Sequence, residues 1–311
     1  MSEWPRQLIA ATGPMRAEKI DGAADGMGEW GQETRALVAQ GWVPPDMMTG
    51  LTLFLLSSQP RDPTRQKIPG GGGGVAGGVW VRERFTIHRG LRREEQFTVS
   101  GTAVGRHVHK GRRYGTNECT TLGEDGEKAA RNITTGLLAY KVEAGLADHL
   151  EGQDPDALES PAPDWQRAAS NPSLERLRAL REGQVLGDYP VRVSLAMMEA
   201  RDTKNPDNPI HSDPELARKA GLTKPIAGGS HVLAFPLEAI LAEIGRHGLY
   251  YGASFDIRWR TPVYADTTII PRVLVESVAP QQVVFGVKAI LPGDNGAEET
   301  AMVGQVTVPL A

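Results

Sequence analysis

The sequence predicts an α+β protein in which one buried helix wrapped by antiparallel strands occurs twice. Three observations lead there. Segments such as Phe255-Asp256-Ile257-Arg258-Trp259-Arg260 alternate apolar and polar residues, the period of a half-buried strand. An apolar helical stretch followed by a series of strands is met once in each half of the chain. Helices do not alternate one for one with strands, which excludes the βαβ pattern of a parallel sheet. No close sequence repeat accompanies this duplication, which rests on the order of elements.

Residues 1–35, rich in Gly, Ala and charge with weak periodicity, are expected to form an N-terminal extension. Residues 36–150 form the first predicted domain. Asp46–Ser57 is compact and apolar and predicts a short buried helix; Pro60, Pro63, Pro69 and Gly70–Gly74 then break the chain. Strands are predicted at Val79–Arg82, Phe85–Ile87, Gln96–Val99, Ala103–His109, Arg113–Leu122 and Ala129–Tyr140, with Gly123–Gly126 as a hairpin connection. Residues 151–185 read as a linker crossing the surface: Gln153–Pro163 is acidic and Pro-bearing, and Leu174–Arg181 is a short charged helix.

Residues 186–311 are the second predicted domain. A strand at Tyr189–Val193 leads to a loop, a buried helix over Ser230–Gly245, and strands at Ser254–Arg260, Thr267–Val275, Val283–Ile290 and Met302–Val308. Pro236 is read as close enough to the first turn of its helix to be tolerated.

With 311 residues, each of two domains can bury a core. Hydrophobic residues make up 40% and charged residues 23%, an ordinary globular balance. The net charge of −4 gives no expectation of nucleic acid or an anionic membrane as partner. Cys119 is the only cysteine, so no internal disulfide can form and a reducing compartment is expected. Met1–Ala11 lacks the basic start and apolar core of a signal peptide, and no apolar run reaches the roughly 18 residues of a membrane span. The expectation is a cytoplasmic protein.

The chemistry concentrates in Asn208-Pro209-Ile210-His211-Ser212-Asp213-Pro214 and, shortly after, Pro225-Ile226-Ala227-Gly228-Gly229. Asp213-Pro214-Glu215 reads as a helix start, with Asp213 accepting an orphan N–H, and Gly221 as the stop. His211 therefore stands just before a helix, on a loop stiffened by Pro209, where an imidazole can hold its geometry. Gly228-Gly229 opens the buried helix. Glycine there lets backbone N–H groups approach a ligand, and a helix N-terminus favours developing negative charge. A histidine beside such donors suits chemistry at a thioester or carbonyl. Set against this, His211 can simply pack or cap at its turn, and the glycines can be a helix entrance with no ligand.

The segment from Asn208 to Pro214, with Ala217, Gly221, Pro225-Ile226-Ala227-x-Gly229 and Arg260-Thr261-Pro262-Val263-Tyr264-Ala265-Asp266-Thr267, resembles the MaoC-like (R)-specific enoyl-CoA hydratases and 3-hydroxyacyl thioester dehydratases. The likeness covers the second half well and residues 80–140 more loosely, like the degenerate first hotdog of two-hotdog members. It implies a double hotdog fold, with the active site in the second half and the first half shaping a substrate channel. It also implies a hydro-lyase that adds or eliminates water at the 2,3 position of an acyl thioester. In that reading His211 is the general acid/base, the Gly229 N–H polarises the thioester carbonyl, and Asn208 fixes the loop. Gly228, Ser230, Arg258 and Arg260 would bind substrate, the arginines meeting phosphates of CoA or a phosphopantetheine arm. The substrate carries CoA or phosphopantetheine, and no separate cofactor is implied.

The chain departs from the family where an Asp is expected, since Pro206 stands there, with Lys204-Asn205 in place of Ser-Gly. Asp207, one position later, is the nearer substitute and Asp202, four earlier, the farther; Asp207 also suits a plain turn in Pro-Asp-Asn-Pro. Gly228 replaces the family His. The substitution leaves a second reading: isomerisation or elimination by His211 alone, or a non-catalytic acyl-CoA-binding subunit. A thioesterase would need a carboxylate on the buried helix, where Glu238 and Glu243 are the candidates. Arg89, Arg92, Arg93, Lys110, Arg112 and Arg113 form a further candidate basic patch. Gly70–Gly74 lacks the strand–Gly–helix order of a nucleotide loop. His107 and His109 share a strand face without a third ligand nearby, so no metal site is expected. Cys119 reads as a small buried side chain, and Ser230 and His231, about 100° apart on a helix, do not make a nucleophile pair. Two hotdogs in one chain predict a monomer or homodimer.

Overall fold

The computed structural model describes residues 4–60, 79–138, 142–202, 209–293 and 296–310. The chain opens with β1 (Arg6–Gln7), β2 (Ala11–Pro14), α1 (Ala17–Asp25) and α2 (Gln32–Ala39). A 3₁₀ segment, Pro45–Gly50, leads into α3 (Leu51–Ser57). Four strands follow: β3 (Val79–Ile87), β4 (Gln96–His109), β5 (Arg112–Gly123) and β6 (Lys128–Leu137). The connection to the second half carries β7 (His149–Gly152), α4 (Trp165–Ala168) and α5 (Leu174–Ala179). Then come β8 (Val185–Gly187), β9 (Val191–Val193), α6 (Leu195–Asp202), α7 (Pro214–Lys219) and α8 (Gly229–Ile244). The last strands are β10 (Ser254–Trp259), β11 (Thr267–Ala279), β12 (Gln282–Pro292) and β13 (Glu298–Pro309).

The strands join one antiparallel sheet in the order β1-β4-β5-β6-β3-β10-β13-β12-β11-β8. β3 and β10 are the seam between the halves, with Phe85 opposite Phe255 and Arg82 opposite Arg258. The two phenylalanine rings stack there, centroids 4.2 Å apart and nearly parallel, both buried. α3 covers the first half-sheet and α8 the second, which is the α+β double hotdog expected. β3 explains the seam by alternation: Glu83, Phe85 and Ile87 face the helices, while Arg82, Arg84 and Thr86 face the connecting segment.

Several expectations are corrected. The N-terminal segment described from residue 4 onward is integral to the fold. β1 and β2 pair with β4, and Ile20, Ala23, Ala24 and Met27 are buried. Its small residues, which weaken the periodicity, are what let α1 pack closely against α6. Residues 151–185 do cross the surface, but docked to it: Arg84 donates to the Leu158 and Pro155 carbonyls and Thr86 to that of Ala162. The helix expected over Asp46–Ser57 is α-helical only from Leu51. α8 starts at Gly229, so Pro236 is its eighth residue, in mid-helix, and the Val232 carbonyl loses its usual amide donor. The glycine run 70–74 lies outside the described residues. Among the described residues, no helix is long and apolar enough to cross a membrane.

Candidate functional site

α7 is built as its sequence predicts. The Asp213 side chain accepts from the Glu215 and Leu216 amides at 2.8 and 3.0 Å, Pro214 takes the first helical position, and Gly221 ends the turn at φ +91°. His211 precedes it at the end of the 3₁₀ turn Pro209–His211. Its Nδ1 lies 2.7 Å from the Ile226 carbonyl. A carbonyl only accepts, so Nδ1 carries the proton and Nε2 is the basic nitrogen of the neutral ring. Ile226 is itself held: its amide donates to the Ile210 carbonyl, and Ala227 donates to Val263 at 2.8 Å. The two stretches singled out in sequence are thereby laced to one another and to the loop after β10.

Gly228 caps α8 from outside, and its carbonyl takes the first intrahelical bond, from Val232. The amides of Gly229, Ser230 and His231 belong to the first turn and have no intrahelical acceptor. A Cβ built on Gly228 would stand 3.9 Å from His211 Cε1, so the imidazole lies directly beside the helix entrance. These residues line one cavity of about 990 Å³. It lies at the seam, walled by Val79, Trp80 and Val81 of β3, Leu137 of β6, and Trp259 of β10.

Asp202, Gly228, Gly229, Ser230, His211, Arg258 and Arg260 all line this cavity. Among the described lining residues Asp202, at the end of α6, is the one carboxylate. Asp207 and Asn208, with Pro206, lie outside the described residues. The basic patch of the first half divides. Lys110 and Arg112 line the cavity, whereas Arg89 pairs with Glu95 and Asp125, Arg93 with Asp21 and Arg113 with Glu143, and Arg92 stacks on Trp42. The cavity wall is therefore cationic where Lys110, Arg112, Arg258 and Arg260 meet it.

Glu238, a thioesterase candidate, is spent elsewhere. It accepts from the amides of Glu33 and Thr34 and from the Thr34 hydroxyl, capping α2. Burial raises its pKa, and those donors oppose the shift. Glu243 accepts from Gln184 at the surface. Cys119 is buried against Thr52, its thiol pushed up to about 12 chiefly by burial, and so is inert. His107 stacks on Tyr114, centroids 4.7 Å apart.

Four residues of the site carried no local signal. Trp80 and Trp259 meet across the seam, centroids 6.3 Å apart. His231, wholly buried, bonds through Nε2 to the Gly26 carbonyl at 2.8 Å, and burial drives its pKa down to about 3, so it stays neutral. Arg201 pairs with buried Asp46, whose pKa burial raises and the guanidinium lowers. Each depends on a partner distant in sequence, and adjacency to the motif was the one available hint, for His231 beside Gly229 and Arg201 beside Asp202.

Residues 200–290 match the family model described as a MaoC like domain. The fold is similar to that of a protein described as a MaoC-like dehydratase, with TM-score 0.68, 16% identity, and 97% of this chain and 98% of that one covered. It is also similar to a MaoC-like dehydratase from Phytophthora capsici, with TM-score 0.64, 14% identity and coverage of 98% and 95%. A Mycobacterium tuberculosis protein described as having a double hotdog fold gives TM-score 0.60, 13% identity and coverage of 96% and 93%. At these identities the likeness is one of fold. No curated protein sequence matches the chain significantly.

Proposed function

From the premise that residues 200–290 form a MaoC-like domain within a double hotdog fold, we propose that the protein is a hydro-lyase acting at the 2,3 position of an acyl thioester. The observation that carries this reading is the juxtaposition of His211, its Nδ1 tied to the Ile226 carbonyl, with the open first turn of α8 in a cavity that also holds Asp202. In the hydration direction Asp202 orients a water. His211 Nε2 takes a proton from it as the oxygen bonds to C3 of the enoyl group. The C2–C3 π electrons shift toward the thioester oxygen, which the Gly229 amide holds at the positive end of α8. His211 then returns the proton to C2, and dehydration is the reverse. Lys110, Arg112, Arg258 and Arg260 would take the phosphates of CoA or a phosphopantetheine arm, with Gly228 and Ser230 leaving room for the thioester.

The test is loss of enoyl absorbance on adding the protein to crotonyl-CoA and longer 2-enoyl-CoAs. His211→Ala should slow turnover about 10²–10⁴-fold. Asp202→Asn should slow it as well, and Asp207→Asn is measured beside it to decide which carboxylate meets the water. An unchanged rate in His211→Ala would sink the mechanism. Crotonyl-CoA binding without turnover in the native protein would favour a thioester-binding subunit, the reading that Pro206 in the family Asp position motivates.

A further inference from the structure

Trp259 ends β10, the seam strand, and its indole reaches the first residue of α8. Nε1–H donates to the Gly229 carbonyl at 3.0 Å. A Cβ at position 229 would come within 3.0 Å of Trp259 Cε2, 3.2 Å of Cζ2 and 3.3 Å of Nε1, so the ring lies hard against the glycine. The contact is made inside the cavity, which Trp259, Gly229, Ser230 and His211 all line. Trp80 of the first half also meets this ring, its plane tilted by 50°.

We propose that Trp259 is a positioning residue that orients the first peptide of α8 for polarising the substrate carbonyl, acting through the Gly229 carbonyl; this rests on the acyl-thioester reading above. The Gly229–Ser230 peptide is planar, and in a trans peptide the C=O and N–H point in opposite directions. Holding the Gly229 oxygen therefore sets the direction of the Ser230 N–H, a second donor at the helix entrance beside the Gly229 N–H, which belongs to the preceding peptide. The Gly229 oxygen has a second lone pair for its helical partner, so the indole adds a restraint without displacing one. A bonded carbonyl also polarises its peptide, strengthening the N–H as a donor. Because Trp80 packs against the same indole, the first half of the molecule bears on the donor of the second through one side chain.

The test replaces Trp259 by β-(3-benzothienyl)alanine, which keeps the bicyclic shape and exchanges N–H for sulfur, and separately by Phe. Two readouts are taken: kcat and KM on crotonyl-CoA, and the carbonyl stretch of bound [1-¹³C]butyryl-CoA, a saturated thioester that cannot be hydrated. For the benzothienyl variant the expected result is a fall in kcat of about tenfold, the scale of one lost hydrogen bond, with KM and Tm unchanged. The carbonyl stretch, lowered on the native protein, should return toward its solution value in both variants. A native stretch and native kcat in the benzothienyl variant would overturn the proposal. So would a loss that appears only as raised KM or lowered Tm, the mark of a packing role. If the native protein lowers the stretch but does not hydrate crotonyl-CoA, the positioning role stands and the hydro-lyase reading falls. If it does not bind butyryl-CoA at all, both fall.

Discussion

Beneath α8 the second half-sheet contributes Phe255, Ile257, Val273, Val275, Phe285 and Val287, all buried and apolar; beneath α3 the first contributes Phe85 and Ile87 together with Glu83, Asn132, Thr134 and Cys119. In the first half these polar groups form a network. Asn132 donates to Glu83 at 2.8 Å and to the Met48 carbonyl, Thr134 donates to Thr52, and Thr52 meets Cys119. The difference follows from helix length. α8 has 16 residues and rests on apolar area, which is stabilising but non-directional. α3 has seven, too few to rest on area alone, and its orientation is set by the hydrogen bonds that Thr52 accepts from Thr134 and the Met48 carbonyl of the preceding turn accepts from Asn132. The half expected to hold the reaction has an apolar foundation beneath α8, and its directional contacts lie at the cavity end, at His211, Gly229 and Trp259, and where Glu238 caps α2.

Three measurements can break or sharpen this contrast. The largest effect is expected from Phe235→Ala, which empties a fully buried site on α8 and should cost about 3–5 kcal/mol, read by denaturant unfolding. The cost should not vary with pH, since no titrating group is lost; a loss under about 1 kcal/mol would mean that α8 does not rest on area.

Next is Arg201→Met, which strands Asp46 in the core and should cost about 3 kcal/mol at neutral pH. Burial raises the Asp46 pKa and Arg201 is the group that opposes it, so without Arg201 the carboxyl protonates more readily. The cost should therefore shrink as pH falls. A cost independent of pH would show that packing by the arginine stem, rather than its charge, is what α6 supplies to α1.

The smallest effect, and the sharpest for the comparison, is Glu83→Gln. Burial pushes the Glu83 carboxyl up to about 8 from 4.5, so at neutral pH it is largely neutral in the folded protein and ionised in the unfolded chain. The stability this group supports is fully present below about pH 4.5 and is lost as pH rises through about 8. Glu83 Oε2 and Asn132 Oδ1 have no hydrogen-bond partner among the described residues, which fits a neutral carboxyl. Glutamine mimics that neutral form, so the variant should gain stability relative to the native protein as pH rises from 5 to 8, with a flatter profile over that range. A profile as steep as the native one would place the titrating group elsewhere.

Much of the second half was legible. The strand over 254–259 follows from alternation alone, α8 from an apolar run behind two glycines, and α7 from its Asp cap, Pro and Gly stop. α1, α2 and α6 were not predicted. α1 buries Gly22, Ala23 and Ala24, small residues whose value lies in close approach, and α6 is short, with Met198 its one buried residue. At the site, His211 and the glycines stood out because their chemistry is local: a turn, a helix start, an open backbone. Asp202 was the less favoured of two carboxylates by distance along the chain, and α6 brings it to the cavity nonetheless.

What the sequence determined by itself, then, is the pattern that short-range physics writes: strand faces, caps, breakers, and an imidazole next to exposed amides. Tertiary structure alone decided that β3 meets β10, that Trp80 and Trp259 wall one cavity, and that an indole donates to the first carbonyl of α8. Those pairings join residues far apart along the chain. Their free energy comes from burial and geometry reached only when the whole sheet closes, and no local period or spacing encodes it.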